Sequence, residues 1–239
     1  MKKILITGAS GFVGSNLSKF LETKGWNTDA FSLRNKDWSN TIPAEAQAII
    51  HLAGKAHDTA NTSDASSYFE INTELTKQLF DVFLTSEIQD FIYFSSVKAV
   101  ADTVEETLGE NVIGNPKTPY GQSKLQAEDY ILAQKLPEGK RIFIIRPCMI
   151  HGPGNKGNLN LLYNIVKKGI PYPLASFENE RSFLSIDNLN FLINAILSDK
   201  TIASGIYNFA DDVVISTNEL VKIIAKASGK EARLLKVPK

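Results

Sequence analysis

The chain is poor in the residues that build staples and metal sites: it has one cysteine, Cys148, and three histidines, His51, His57 and His151. A single thiol excludes an internal disulfide framework and a cysteine-based zinc site. The histidines share no metal-ligand spacing and no acidic cluster accompanies them, so no metal is implied. Net charge is lacking too. Lys plus Arg and Asp plus Glu balance at 26 each, leaving no overall field to draw in nucleic acid or an acidic membrane. No apolar run approaches the length of a membrane span. The opening Met1-Lys2-Lys3 imitates the charged end of a signal peptide, but Ile4-Leu5-Ile6 breaks at once into Thr7-Gly8-Ala9-Ser10-Gly11, too short an apolar stretch for one. These absences point to a cytoplasmic protein. With 239 residues, 43% of them hydrophobic and 22% charged, the chain can hold one large α/β domain with a small appendage.

What is present is an alternation of short apolar runs with amphipathic segments, the pattern of βαβ units on a parallel sheet. Ile4-Leu5-Ile6 predicts a first buried strand and Phe12–Lys24 a helix that ends at Gly25. Further strands are expected over Thr28–Leu33, Ala48–Leu52, Phe91–Phe94 and Ile142–Ile145, with a long helix over Ser66–Thr85. The glycines and prolines of Asp102–Pro119 predict a surface loop. Beyond Arg146-Pro147 the units are smaller: a glycine-rich loop from His151 to Asn158, a helix over Leu159–Lys168, a strand over Phe183–Ile186, a helix over Asp187–Leu197, a strand over Ile206–Phe209, and a helix capped at Ser216 or Thr217 and running through Ala227. Glu219 in its first turn suits the helix dipole. The expected fold is a Rossmann-type doubly wound parallel α/β sheet. Residues 1–150 would form its dinucleotide-binding domain, and 151–239 a smaller lobe interleaved with the sheet.

Two stretches carry chemistry. Gly8, Gly11 and Gly14 lie directly after the first strand and at the start of the first helix. There glycine permits a tight turn and backbone N–H groups can approach a pyrophosphate, which the helix N-terminus favours. Gly8, Ser10, Gly11, Phe12, Val13 and Gly14 are therefore the candidate cradle of a dinucleotide. At the end of the second strand an acidic residue would select NAD through the adenosine ribose. Ser32 stands there instead, with Arg34 two residues on. A hydroxyl and a guanidinium suit a 2′-phosphate, so the cofactor is NAD or NADP with a lean toward NADP. The second stretch is Tyr120-Gly121-Gln122-Ser123-Lys124. Tyrosine and lysine four apart share a helix face, and an ammonium beside a phenol is expected to bring its pKa down from about 10 toward neutrality. The same lysine could hold the nicotinamide ribose.

Thr7–Gly14, His51-Leu52-Ala53-Gly54, Ile71-Asn72-Thr73, Ser95-Ser96, Tyr120–Lys124, Arg146-Pro147 and His151-Gly152-Pro153-Gly154 follow one another in an order and spacing that resembles the extended short-chain dehydrogenase/reductase superfamily, the NAD-dependent epimerase/dehydratase family. The resemblance covers essentially the whole chain. It implies that Tyr120 is the general acid/base, Lys124 its electrostatic partner and Ser96 a hydrogen-bonding partner of the reacting oxygen. Asn72 takes a supporting structural role, Leu52, Ala53 and Gly54 line the cofactor diphosphate and ribose, and Pro147 adds a cofactor contact. It also implies that Arg181 pairs with the diphosphate of a nucleotide sugar, with Lys156 and Asn158 as sugar or phosphate contacts, and that the protein is a homodimer through helices over Ser66–Thr85 and Pro119–Gln134.

Within that family the chain looks most similar to bacterial enzymes that make surface-polysaccharide sugars, UDP-sugar 4-epimerases and UDP-4-keto-sugar reductases. The expected activity is NAD(P)-dependent epimerisation at sugar C4, with an NADPH-dependent 4-keto-sugar reductase and a noncatalytic NADP-binding regulatory protein as alternatives. Two features depart from the family. Its dehydratases carry an Asp-Glu pair after the catalytic hydroxyl residue, where this chain has Val97 and Lys98, so dehydration lacks its acid and base. Family members also continue well past the position of Lys239, so the substrate lobe is expected to be truncated.

Overall fold

A computed structural model describes residues 3–35, 37–43, 45–55, 64–155 and 158–237. Six parallel strands form the main sheet: β1 (Lys3–Thr7), β2 (Asn27–Phe31), β3 (Ala46–His51), β4 (Asp90–Phe94), β5 (Arg141–Pro147) and β8 (Gly205–Phe209), in the spatial order β2-β1-β3-β4-β5-β8. The inner strands are continuous apolar runs because helices cover both faces of such a sheet. Ile4–Ile6, Ile49, Ile50, Phe91–Tyr93 and Phe143–Ile145 are nearly or wholly excluded from solvent. Edge strand β2 has no fully buried position and is exposed at Asn27 and Ala30. The doubly wound α/β fold is thus the one the alternation predicts.

Helix α1 (Phe12–Thr23) follows β1, and Gly25 beyond it takes the left-handed conformation, φ 84°, that ends a helix. The expected long helix is present but not uniform. It runs as α2 (Ala65–Tyr68), a π-helical turn (Phe69–Glu74) and α3 (Leu75–Thr85). Helix α4 (Pro119–Ala133) starts with proline in its first turn and is capped by Thr118, whose Oγ1 accepts the Gly121 N–H. At the N-terminal edge of the sheet, Asp90 is buried and holds both the Arg141 guanidinium, at 2.8 and 3.0 Å, and the Lys200 ammonium, at 2.6 Å.

The chain divides into two compact units, 1–148 with 189–209, and 149–188 with 210–239. After the first segment of the smaller unit the chain returns to the large sheet through α6 (Ile186–Ser198) and β8. The second unit contains the parallel pair β6 (Met149–His151) and β7 (Phe183–Ser185), and the helices α5 (Asn158–Lys167) and α7 (Thr217–Ala227). Val166, Val221, Ile224 and Ala225 form its small core.

Candidate active site

The first site element is the turn between β1 and α1. The strand order reverses between β1 and β3, and in open α/β sheets ligands bind at the C-terminal ends of strands at such a switch point. Gly11 N–H donates to Gly8 O at 3.0 Å and closes the turn. Gly8 has φ 71°, and a Cβ there would lie 2.8 Å from Ala53 N. A Cβ on Gly14 would lie 2.4 Å from Gly8 O. Side chains at these two positions would collide with backbone, so glycine is what lets the turn pack this tightly against the end of β3 and the start of α1. No side chain caps α1, whose N-cap is Gly11, so its first N–H groups have no partner within the helix and face an anion-favouring potential. Gly8, Ser10, Gly11, Phe12, Val13 and Gly14 meet here. Exposed Ser32 follows the end of β2, its Oγ accepting the N–H of exposed Arg34 at 3.4 Å. The donor set, backbone amides with a hydroxyl and a guanidinium, fits the phosphates of a dinucleotide.

Leu52, Ala53 and Gly54 are fastened to that turn. Thr7 O accepts the Leu52 N–H at 3.2 Å and Thr7 Oγ1 the Ala53 N–H at 3.1 Å. Behind them lies His51, wholly buried, with Nδ1 2.7 Å from Thr7 Oγ1 and Nε2 2.9 Å from Thr76 Oγ1. Thr76 Oγ1 spends its proton on Asn72 O at 2.7 Å, so it can only accept from His51, which fixes the neutral Nε2–H tautomer. Burial, and secondarily the charge of Lys124, lowers the His51 pKa to about 3. His51 thus forms a polar thread through the core.

Asn72 is buried in the π-helical turn and fixes the same segment from the other side. Its Oδ1 accepts the Lys55 N–H at 2.7 Å, while Nδ2 donates to Lys55 O at 3.1 Å and Ser123 Oγ at 3.0 Å. Thr73, the next residue, donates from Oγ1 to Ser123 O at 2.8 Å. Neighbours on an α-helix diverge by about 100°, and the widened turn is what lets both reach α4. Such turns often mark functional sites.

Helix α4 carries the reactive pair. Tyr120 is half-buried and hydrogen-bonded to the Ser96 hydroxyl. Ser96 also caps a short 3-10 turn, Val97–Ala99, by accepting the Lys98 N–H at 3.2 Å. Lys124 is 5% exposed. Its ammonium donates to Phe94 O at 2.8 Å and lies 4.9 Å from the Tyr93 ring centroid. Burial pushes its pKa down to about 8, opposed by the charge of Glu128. The forces on Tyr120 differ from the expectation. Burial holds the phenol above its ordinary value, the Ser96 hydrogen bond pulls it down, and nearby Tyr68 pushes it up. The opposing pull comes from the serine.

Beneath this pair is an ionic network that sequence reasoning missed. Glu128, one helical turn past Lys124, is fully buried and receives both Nε and Nη2 of Arg146, itself 4% exposed. Ser95 Oγ donates to Glu128 Oε1, and Arg146 Nη1 donates to Glu110 O at 3.3 Å. An arginine inside the apolar run of β5 was the available signal, since a charge there needs a buried partner. Pro147 ends that strand, buried. Lys98, in the position where the family's dehydratases carry a carboxyl, has its ammonium 4.0 Å from Asp102.

The second unit holds a cleft of about 430 Å³ lined by Tyr172, Leu174, Phe177, Asn179, Arg181 and Thr217 among others. Arg181 is exposed there, its backbone paired with Ile215. His151 is half-buried, with Nε2 3.8 Å from Asp211 Oδ2 and its ring edge-on to Phe183. Lys156 and His57 fall outside the described residues, and of Asn158 only the backbone, as the first residue of α5, is described. Among the described residues no group of His, Cys, Asp and Glu is arranged to hold a metal ion, and no helix is long and apolar enough to cross a membrane.

The profile of the NAD dependent epimerase/dehydratase family matches residues 4–210. A UDP-glucose 4-epimerase of Vibrio cholerae is 32% identical, the match covering 99% of this chain and 79% of that protein. Among solved structures, RMD from Pseudomonas aeruginosa complexed with NADPH superposes with a TM-score of 0.82 at 25% identity, covering 100% of this chain and 87% of that one. UDP-N-acetylglucosamine 4-epimerase from Bacillus cereus gives 0.83 at 22% identity, covering 99% and 85%.

Proposed function

The chain belongs to the NAD dependent epimerase/dehydratase family, and from that premise we propose that it epimerises a nucleoside-diphosphate sugar, UDP-linked, by hydride transfer at C4. One observation carries the reading: the Tyr120 phenol is hydrogen-bonded to Ser96, with Lys124 buried one turn further along the same helix. Tyr120 takes the proton of the C4 hydroxyl when the sugar is oxidised and returns it when the ketone is reduced. Ser96 donates to the same sugar oxygen and holds it in line with the phenol. Lys124, still cationic below about pH 8, favours the phenolate during the transfer. The dinucleotide, when bound on the glycine turn and against Leu52–Gly54 and Pro147, supplies the hydride acceptor and donor. Arg181 is assigned to the substrate diphosphate, with Lys156 and Asn158 beside it.

A 4-keto-sugar reductase uses the same three residues, and the pair Ser32 and Arg34 favours it by suiting NADPH. Retention of both Tyr120 and Lys124 argues against a noncatalytic NADP-binding regulator. We place the reaction in the cytoplasm, in the synthesis of surface-polysaccharide sugars, and assign a homodimer through the helices on either side of the π turn and α4, which light scattering tests.

The deciding experiment incubates the purified protein with UDP-glucose and UDP-N-acetylglucosamine and catalytic NAD, and follows C4 inversion by proton NMR. NADPH oxidation is measured in parallel with a UDP-4-keto sugar. Inversion without net cofactor consumption identifies an epimerase, and stoichiometric NADPH oxidation a reductase. Equal turnover by Tyr120→Phe would remove the assigned acid/base.

A further inference from the structure

We propose that Tyr68 is a positioning residue for the reactive phenol. Held between the Lys55 ammonium and the Tyr120 ring, it sets the plane in which the Tyr120 hydroxyl meets Ser96. The inference rests on the reading of Tyr120 as the acid/base.

The phenyl ring of a tyrosine turns about a broad, two-fold torsion. Tyr120 is only half-buried, so its ring needs an external stop. Tyr68 supplies one. It is 5% exposed, and its ring meets that of Tyr120 edge-on, at 6.2 Å between centroids and 72° between planes, an arrangement the ring quadrupoles favour. The stop is itself fixed. Lys55 Nζ lies 5.0 Å from the Tyr68 centroid and donates to Ser67 Oγ at 2.6 Å, while the Lys55 backbone is held at both N–H and C=O by Asn72. A cation over one aromatic ring and a second ring at its edge leave Tyr68 little freedom.

The helix explains why Tyr68 and Asn72 act together. Tyr68 is the last residue before the π turn, and Asn72 lies within it. The irregularity thus delivers two side chains to one site, Asn72 to the Lys55 backbone and Ser123, and Tyr68 to Tyr120. Around the Tyr120 phenol stand Ser96 after β4, Tyr93 on β4, and Tyr68, with Lys124 on its own helix and Lys55 behind Tyr68.

Tyr68→Phe keeps the ring and removes the hydroxyl, whereas Tyr68→Leu removes the ring. With the full chain and the substrate identified above, Tyr68→Leu is expected to lower kcat about 10- to 100-fold, the scale of a small misplacement of a reacting group, with KM within about threefold. Tyr68→Phe keeps the edge-on ring and should restore kcat to within about threefold of wild type, a rescue that general damage to the fold would not give. A folded Tyr68→Leu protein with wild-type kcat, or a Tyr68→Phe protein as impaired as Tyr68→Leu, overturns the proposal. If Tyr68→Leu fails to fold by circular dichroism, Lys55→Met replaces it: a fall in kcat of about threefold or more at unchanged KM supports the clamp, and an unchanged kcat sinks it. Full turnover in Tyr120→Phe would fell the acid/base reading itself, whereas an inactive Tyr120→Phe beside an unimpaired Tyr68→Leu fells the Tyr68 proposal alone.

Discussion

The two units treat polar side chains in opposite ways. Every fully buried polar or charged side chain among the described residues, from Thr7 and His51 to Lys124, Glu128 and Arg146, belongs to the large sheet unit. In the smaller unit the described side chain assigned to the substrate diphosphate, Arg181, lines an open cleft beside Tyr172, Leu174 and Phe177. Proton and hydride transfer demand groups fixed before the substrate arrives, and fixing polar groups in a dry interior requires that each be partnered. Recognition of a flexible diphosphate tolerates solvent and side chains that adjust. The difference teaches where rigidity is spent, and substitutions in the two units should have different signatures.

The largest effect is expected from Tyr120→Phe. Removing a positioned acid/base typically costs about 10²- to 10⁴-fold in rate, and here the loss should fall on kcat, with unfolding free energy nearly unchanged. Comparable loss of stability would mean that the hydroxyl serves the fold and would break the comparison at its strongest point. Next comes Glu128→Gln, which leaves Arg146 buried without its counter-charge. Breaking a buried pair in this way costs about 3–5 kcal/mol, measurable by denaturant unfolding, whereas Glu180→Gln at an exposed position of the smaller unit should stay within about 0.5 kcal/mol.

The buried histidine adds a pH dependence. His51 titrates near 6.5 in an unfolded chain and near 3 in the folded one. Between those values the unfolded state holds the extra proton, so stability is complete above pH 6.5 and falls as pH drops toward 3, by about 1.4 kcal/mol per unit. Unfolding curves at pH 7 and pH 5 should show that slope, and His51→Gln should flatten it. In the smaller unit, Arg181→Met should raise KM for the nucleotide sugar about 10- to 100-fold, the worth of a charge-assisted hydrogen bond, with kcat within about threefold. A fall in kcat at constant KM would place Arg181 with the rigid machinery instead.

Much of the large unit was legible because its determinants are local. Apolar runs bounded by glycine marked β1 and α1, and Tyr120, Lys124 and the glycine turn announced themselves through spacing. What stayed hidden depends on long-range packing. Glu128 and Arg146 are 18 positions apart and meet only because α4 packs on the sheet. The π turn leaves an apolar pattern that still reads as one helix. Burial, which dominates the Tyr120 phenol and the Lys124 ammonium, cannot be inferred from a Tyr-x-x-x-Lys spacing. In the smaller unit a cap at Ser216 or Thr217 and the charge of Glu219 were each legible, but not the reciprocal pairing of Ser216 with Glu219.

That pattern supplies the smallest predicted effect. Ser216 Oγ accepts the Glu219 N–H at 3.0 Å, and Glu219 Oε2 accepts the Ser216 N–H at 3.4 Å, a reciprocal cap at the start of α7. Ser216→Ala removes the acceptor for one orphan amide and should cost about 1 kcal/mol, whereas Ser216→Gly, which suits the N-cap backbone, should cost only a few tenths. Because the cap is exposed and local, neither change should alter kcat or KM. Equal losses for alanine and glycine would mean that the hydroxyl alone sets the strength of this cap and that glycine's backbone freedom recovers none of it.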